Sequence, residues 1–518
     1  MSLQSLCTQA SGEVVSNLDA NQQDGLFYFA FGENPQPGDA LYLGLEYDGA
    51  LPEDEIKIAI NLYQQDLPSK PAADVQDDDM IAPATLEWEY YAGQSEREWK
   101  RLPVTRNSIK AFASSGSIAF IGPSDATKRA LFNSEAELYW VRCRVLSAEY
   151  NIPPRIDAIL LHTISATHGR TWHEEFLGSS NALPGQIMRF AHAPVLVGTE
   201  TIVIKEGSAE DSWREWQRVD DFDNSNPDDR HYILNPPEGE IIFGDGIHGR
   251  IPPIGESNIK ARQYRSGGGV IGNARVRSLN RILSGAPGFV KVENHQPGWG
   301  GAEAESLEET KLRAKQDLRK TMRAVTSSDY EELARATPGV WLARAKALPG
   351  HHPQYPCVKV PGAVSVAVIP YVLPESDLEN PLPGASLLLS VQNYLRRFRL
   401  LTAHVFAIAP VYVKVAVSVS VKIKPRAKAE RVADDVRVAL RKFLHPVTGG
   451  PQGEGWPFGY DVLASEVYQV IQNVAGVEYA DRLALKAEGK EVGTVCGNLT
   501  IPENAVVYSG EHEIAVVL

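Results

Sequence analysis

From Val411 to Ile423 every odd position is apolar, while the even positions after Tyr412 run Lys, Ala, Ser, Ser and Lys. An apolar residue at every second position predicts a strand with one face buried. Shorter runs rich in aromatic and β-branched residues precede it: Leu86–Tyr91, Ile118–Ile121 and Leu138–Val145, each bounded by Gly, Pro, Asp or Ser. Short strands at that spacing predict a β-sandwich-like domain over residues 1–165, with an exposed loop over 69–83. Further strands are expected at Ile202–Lys205, His231–Leu234, Glu240–Phe243 and Ile259–Tyr264. Gly239, and then Gly244 and Gly246, read as hairpin punctuation around the third of these.

The period changes after Gly300-Gly301. Ser306-Leu-Glu-Glu309 is a capping box, followed by Leu307, Ala314, Leu318 and Met322 on one face and by basic Arg319, Lys320 and Arg323 in the last turn. A second box, Thr326-Ser-Ser-Asp329, opens a helix bearing Tyr330, Leu333 and Ala334 that Pro338-Gly339 ends. The segment 301–339 therefore predicts a helical hairpin. Beyond it strands are expected over 340–348, 363–372 and 477–485, and helices over 386–399, 429–444 and 462–474. The fold class is multidomain, with a β-rich N-terminal half followed by the helical hairpin and α+β modules. The expected division is 1–165, 166–300, 301–339, 340–424 and 425–518.

Composition narrows the function classes. The 518 residues suggest several domains, and the Gly and Pro counts of 42 and 34 fit turn-rich β-structure. A formal charge of −14 argues against a nucleic-acid partner. Cys7, Cys143, Cys357 and Cys496 show no C-x-x-C spacing, so they read as free thiols of a reducing compartment. The N-terminal residues lack signal-peptide character, and the longest uncharged run falls short of a membrane span. A soluble chain with no membrane insertion is the expectation.

Candidate chemistry is thin. Gly267-Gly-Gly-Val-Ile-Gly272 satisfies G-x-G-x-x-G and has Glu293 downstream, but the alternation from Asn273 to Leu279, with Gly285 and Pro287 after it, predicts a turn and no dinucleotide-binding helix. Asp221–Asp229 resembles the start of a calcium loop but has Asn226 where Gly is needed and Tyr232 where the bidentate Glu belongs. His173-Glu-Glu lacks a second His one turn later, and His351-His352 sits in a Pro/Gly loop. Cys143 reads as core. Trp88, Tyr90, Tyr91 and Trp99 read as core too, with a sugar platform as the alternative. No catalytic, metal or cofactor site is expected, which favours a structural protein over an enzyme.

Several strings occur in one order: Tyr232-Ile-Leu-Asn-Pro-Pro-Glu-Gly239, Ile242-Phe-Gly-Asp-Gly-Ile-His-Gly-Arg-Ile-Pro-Pro253 and Ala261-Arg-Gln-Tyr-Arg-Ser-Gly-Gly-Gly-Val-Ile-Gly-Asn273. Gly300-Gly-Ala-Glu-Ala-Glu-Ser306, Arg323-Ala-Val-Thr-Ser-Ser-Asp-Tyr-Glu331 and Gly455-Trp-Pro-Phe-Gly459 follow. Together, over roughly residues 200–485, the chain resembles the baseplate J-like wedge proteins of contractile phage tails and contractile injection systems. The resemblance implies a structural baseplate wedge subunit that links hub and sheath and takes part in the rearrangement that triggers contraction. Its partners would be a second J-like or wedge subunit, neighbouring wedges (six around the hub), hub and spike proteins and sheath adaptors. Assembly in the bacterial cytoplasm is implied as well. In that reading Gly244, Asp245 and Gly246 form a hairpin turn requiring positive φ, and Gly267, Gly268 and Gly269 a tight turn approached by another backbone. Gly300 and Gly301 precede the helices, Thr326 and Asp329 cap the helix that Tyr330 anchors, and Arg323 is available to a carboxylate. Trp456 and Phe458 hold the 449–456 loop from beneath. Alternatives are a receptor- or glycan-binding tail protein using the N-terminal aromatics, and a tail-associated hydrolase.

Overall fold

The computed structural model describes residues 1–518 apart from 24, 69–80, 94–98, 133, 135, 210–211, 284–290, 318–322, 374–377, 489–491 and 518. Most of the loop expected over 69–83 lies outside the described residues, as do Gly285, Pro287, Leu318, Arg319, Lys320 and Met322. Among the described residues are five α-helices: α1 (Leu307–Asp317), α2 (Ser327–Arg335), α3 (Ala385–Phe398), α4 (Ala429–Phe443) and α5 (Ala464–Gln472). The chain divides into two compact units, one of Met1–Thr163 with Thr321–Leu518 and one of Ile164–Lys320. The division falls inside the segment 301–339, so α1 belongs to one unit and α2 to the other.

In the first unit, residues 1–163 form two antiparallel sheets of seven and five strands. Alternation places Leu41, Leu43, Leu45, Val141 and Cys143 of one sheet on a shared core with Ile56, Ile58, Ile60, Ile118 and Phe120 of the other. The opposite face of the larger sheet buries a smaller cluster that includes Tyr42, Tyr91 and Trp140. Beside that cluster runs a charge ladder in which Arg142 and Arg144 both donate to Glu89, at 2.7 and 3.1 Å. Burial alone would push the Glu89 carboxyl up, but the two guanidinium hydrogen bonds hold it below the usual range.

The rest of the first unit is two α+β layers. The strands Leu342–Pro349, Ala363–Pro370 and His404–Ile408 form a sheet whose core is shared with α2 and α3 through Tyr330, Leu333, Leu387, Val391 and Leu395. The strand Val411–Ile423 is central to the last sheet, with Val477–Glu488 on one edge and Ala505–Ser509 and then Glu513–Val517 on the other. Val411 is exposed, but from Val413 to Ile423 every odd position is buried, and α4 and α5 cover that apolar face at Val432, Val436, Leu440, Val467 and Ile471. The boundary expected at residue 424 thus falls between this strand and the strands it pairs with.

The second unit is a seven-stranded sheet in the order Arg170–Ser180, Gly255–Ser266, Thr201–Lys205, Trp213–Val219, His231–Asn235, Glu240–Phe243, Ile187–Arg189. All pairings are antiparallel except that of Trp213–Val219 with His231–Asn235. Its core includes Ile202, Ile204, Trp216, Tyr232, Phe243 and Tyr264. After Ser266 the described chain of this unit contains only a three-residue 3-10 turn and α1.

Candidate functional site

The glycine motifs of the second unit dock on one another. Gly267, Gly268 and Gly269 have φ of 151°, 90° and 70°. A Cβ on Gly267 would lie 2.6 Å from the Gly169 Cα, so the backbone at His168–Gly169 crosses directly over the turn. The 3-10 turn Val270–Gly272 follows where a dinucleotide site would need a helix. Asn273 then makes both hydrogen bonds of a strand-like pair with Gly301, accepting from its N–H at 2.8 Å and donating to its carbonyl at 2.9 Å. Glu303 accepts from the Val270 N–H at 3.0 Å. A side chain at Gly301 would strike the Gly269 carbonyl oxygen at 2.3 Å, so this docking requires glycine there. Gly300 has φ 85° with open space around its Cα.

The turn after Glu240–Phe243 differs from expectation. Gly246 has positive φ, 85°, but Gly244 does not. That strand pairs with His231–Asn235 and Ile187–Arg189, not with the strand that follows it, so Gly244–Gly246 is no hairpin turn. Gly244 is needed for a close approach instead, since its Cβ would meet the Gly249 carbonyl at 2.3 Å. Asp245 accepts from the N–H groups of His248 and Ile247 at 2.6 and 2.8 Å, which holds its carboxyl below the usual range. The loop rests on Asp221–Asp229, itself an Asx turn in which Asp229 accepts from the Asn226 N–H at 2.7 Å.

From Arg265 to Lys315 no described residue of this unit is buried. Ile271 is 84% exposed, Leu283 84%, Trp299 90% and Leu307 69%. Soluble chains seldom leave so much large apolar surface uncovered along one segment. The α1 capping box is present, with Glu309 accepting from the Ser306 N–H at 2.8 Å. Glu305 pairs with Arg313 at 2.9 Å and Glu308 with Lys311 at 2.8 Å.

In the first unit, Thr326 and Asp329 form the expected reciprocal cap, at 3.2 Å and 2.8 Å, and Asp329 also accepts from Val325. These backbone hydrogen bonds lower the Asp329 pKa. Tyr330 is buried. Arg323 follows the undescribed residues 318–322 and donates to the Arg397 carbonyl at 3.1 Å, so its partner is a carbonyl and not a carboxylate.

Trp456 is fully buried, donates to the Tyr460 carbonyl at 3.0 Å and meets Phe443 edge-on. Above it the loop folds back on itself, Gly450 N–H to the Phe443 carbonyl at 2.7 Å and Gly455 N–H to the Gly449 carbonyl at 2.8 Å. Arg344 reaches in from the neighbouring sheet, donating to the carbonyls of Pro446 and Trp456 and lying over the Phe458 ring at 5.4 Å. Burial lowers its pKa.

Arg344, Asn273 and Glu303 are the side chains that sequence reading did not single out. Each joins segments distant in the chain, and only a glycine motif nearby marks the place.

The N-terminal aromatics form no sugar platform. Trp88, Tyr90 and Tyr91 are buried, and Trp99 is half-buried with Arg142 over its ring at 4.2 Å. Cys143 is core, as its position beside Trp140 suggests. His351 is paired with Ser365 at 2.9 Å. Among the described residues no three His, Cys, Asp or Glu side chains are grouped to hold a metal, and no helix is long and apolar enough to cross a membrane.

No family model and no curated protein matches the chain. Among solved structures, a cryo-EM structure of the anti-feeding prophage baseplate, 6-fold symmetrised, aligns over 92% of this chain and 78% of the other at 12% identity, with a TM-score of 0.32.

Proposed function

We propose that this chain is a structural baseplate wedge subunit of a contractile tail or injection particle, without catalytic activity of its own. The observation that carries the reading is the exposure of large apolar side chains, Ile271, Leu283, Trp299, Leu307 and Leu312, among the described residues of 270–312. That segment is anchored by the docking of Gly267–Asn273 on Gly301–Glu303, two of the strings that underlie the J-like resemblance. Large exposed apolar side chains suit a surface that is covered on assembly. The partners are a second J-like or wedge subunit and neighbouring wedges, with hub and sheath-adaptor proteins beyond them. Contraction would follow from a switch between two packings of these interfaces. Assembly of the particle takes place in the bacterial cytoplasm.

Deleting the gene tests this. Sheath and tube proteins should still be made, while electron micrographs show no complete contractile particle. Intact, contractile particles from the deletion strain would overturn the proposal.

A further inference from the structure

We propose that His512 is an acid-sensitive latch for the C-terminal strand. Along one edge the central strand Val411–Ile423 pairs with Ala505–Ser509 as far as Val415 and with Glu513–Val517 from Ser418 onward. Between the two pairings the ladder has no strand to accept the Val417 N–H. The imidazole of His512 fills that gap, with Nδ1 accepting from the Val417 N–H at 3.1 Å. Its Nε2 lies 3.0 Å from the Ser509 hydroxyl, which also reaches the Gly510 carbonyl at 3.3 Å. The geometry fixes the tautomer: the proton sits on Nε2 and points at Ser509, leaving Nδ1 bare for the backbone.

Protonating Nδ1 would set N–H against N–H and leave the Val417 donor buried without a partner. The charges around the ring oppose protonation as well. Arg437 and Arg441 of α4 face it, Arg437 being paired with Asp434 and Arg441 with Glu379. Lys414 of the central strand lies against Gly510. Glu511 and Glu513 flank the ring in sequence, and Glu513 leans toward Lys486 at 3.7 Å. Burial, and then the two arginines, pull the imidazole down to about 4 from an ordinary value near 6.5. A histidine held neutral by the fold contributes stability that is complete above about pH 6.5 and is lost as pH falls toward 4. The loss falls on the strand that the ring secures, Glu513–Val517, which among the described residues pairs with the central strand alone and is covered by part of α4.

Hydrogen exchange on the full chain tests the latch. Protection factors of the 513–517 amides, corrected for intrinsic rates, should fall roughly twentyfold between pH 7 and pH 5, while those of the N-terminal sandwich hold. His512→Asn keeps an acceptor for the Val417 N–H but cannot titrate, so its 513–517 protection should be flat over the same range. An equal fall in this variant, or no fall in the native chain, overturns the proposal. NMR titration of the histidine rings in the native chain is independent of whether the variant folds. A His512 midpoint below about 5.5 supports the latch, and any higher midpoint overturns it.

Discussion

Ser306 and Thr326 each open a helix with the same reciprocal hydrogen bonds between a hydroxyl residue and the acid three positions on. The helices then diverge. In α2, Tyr330, Leu333 and Ala334 are buried against the sheet that contains the strand Leu342–Pro349 and against α3, whereas α1 buries no described side chain and leaves Leu307 and Leu312 exposed. Capping is local: it satisfies the first N–H groups and sets where a helix begins, and two or three side chains are enough. Burial depends on partners supplied from elsewhere in the chain, and the second unit supplies none to α1 among its described residues. An isolated helix of eleven residues is marginal in water, and ion pairs such as Glu305–Arg313 add only about 0.2–1 kcal/mol each. The contrast separates a helix buried within its own unit from one whose apolar side chains the described residues leave uncovered.

The largest test of that contrast removes the anchor of α2. Tyr330→Ala deletes a buried ring from a core shared with Val366, Val391 and Leu395, and should cost about 3–5 kcal/mol. Leu307→Ala on α1 should stay within about 0.5 kcal/mol, because the side chain already faces solvent. Denaturant midpoints of the two purified variants decide the matter, and equal losses would break the comparison.

The same division between local and supplied order governs how much was legible in the sequence. The alternation over 411–423 and the two capping boxes depend on neighbours within a few residues, and strand and helices are found there. The strands Ala505–Ser509 and Glu513–Val517 were missed, because each is only five residues long and gains its meaning from pairing with a strand some ninety positions earlier. Gly244 was assigned the wrong reason for being glycine: the dipeptide pattern reads as a hairpin, but which strands pair is settled by the whole sheet. Arg344 was invisible because its partners are backbone carbonyls, and those have no signature in a sequence. Glycine motifs fared best where two of them meet, as at Gly269 and Gly301, since a close approach excludes every other side chain.

A middle-sized test compares the caps themselves. Thr326→Ala removes the acceptor for the Asp329 N–H while leaving the Asp329 carboxylate its two backbone donors, at a cost of about 1 kcal/mol to the first unit. Ser306→Ala makes the same chemical change to α1. With no burial linked to that helix, it should leave the denaturation midpoint unmoved while raising amide exchange within 307–317. If Ser306→Ala lowers the midpoint as much as Thr326→Ala does, α1 is secured within the free chain and the contrast fails.

Under the proposed wedge role, the smallest effect on the free chain should be the largest on assembly. Leu307 and Leu312 are 69% and 58% exposed, so replacing both by lysine removes no intramolecular contact and should change stability by less than about 0.5 kcal/mol. If these residues are covered on assembly, the same change places two charges in an apolar interface, where each unpaired charge is strongly penalised. Purified double variant should therefore match the native chain in denaturation and yet be depleted from particles when it replaces the native gene. The two outcomes separate folding from assembly. A variant that denatures normally and is incorporated at native levels would show that the exposed face of α1 takes no part in the proposed assembly.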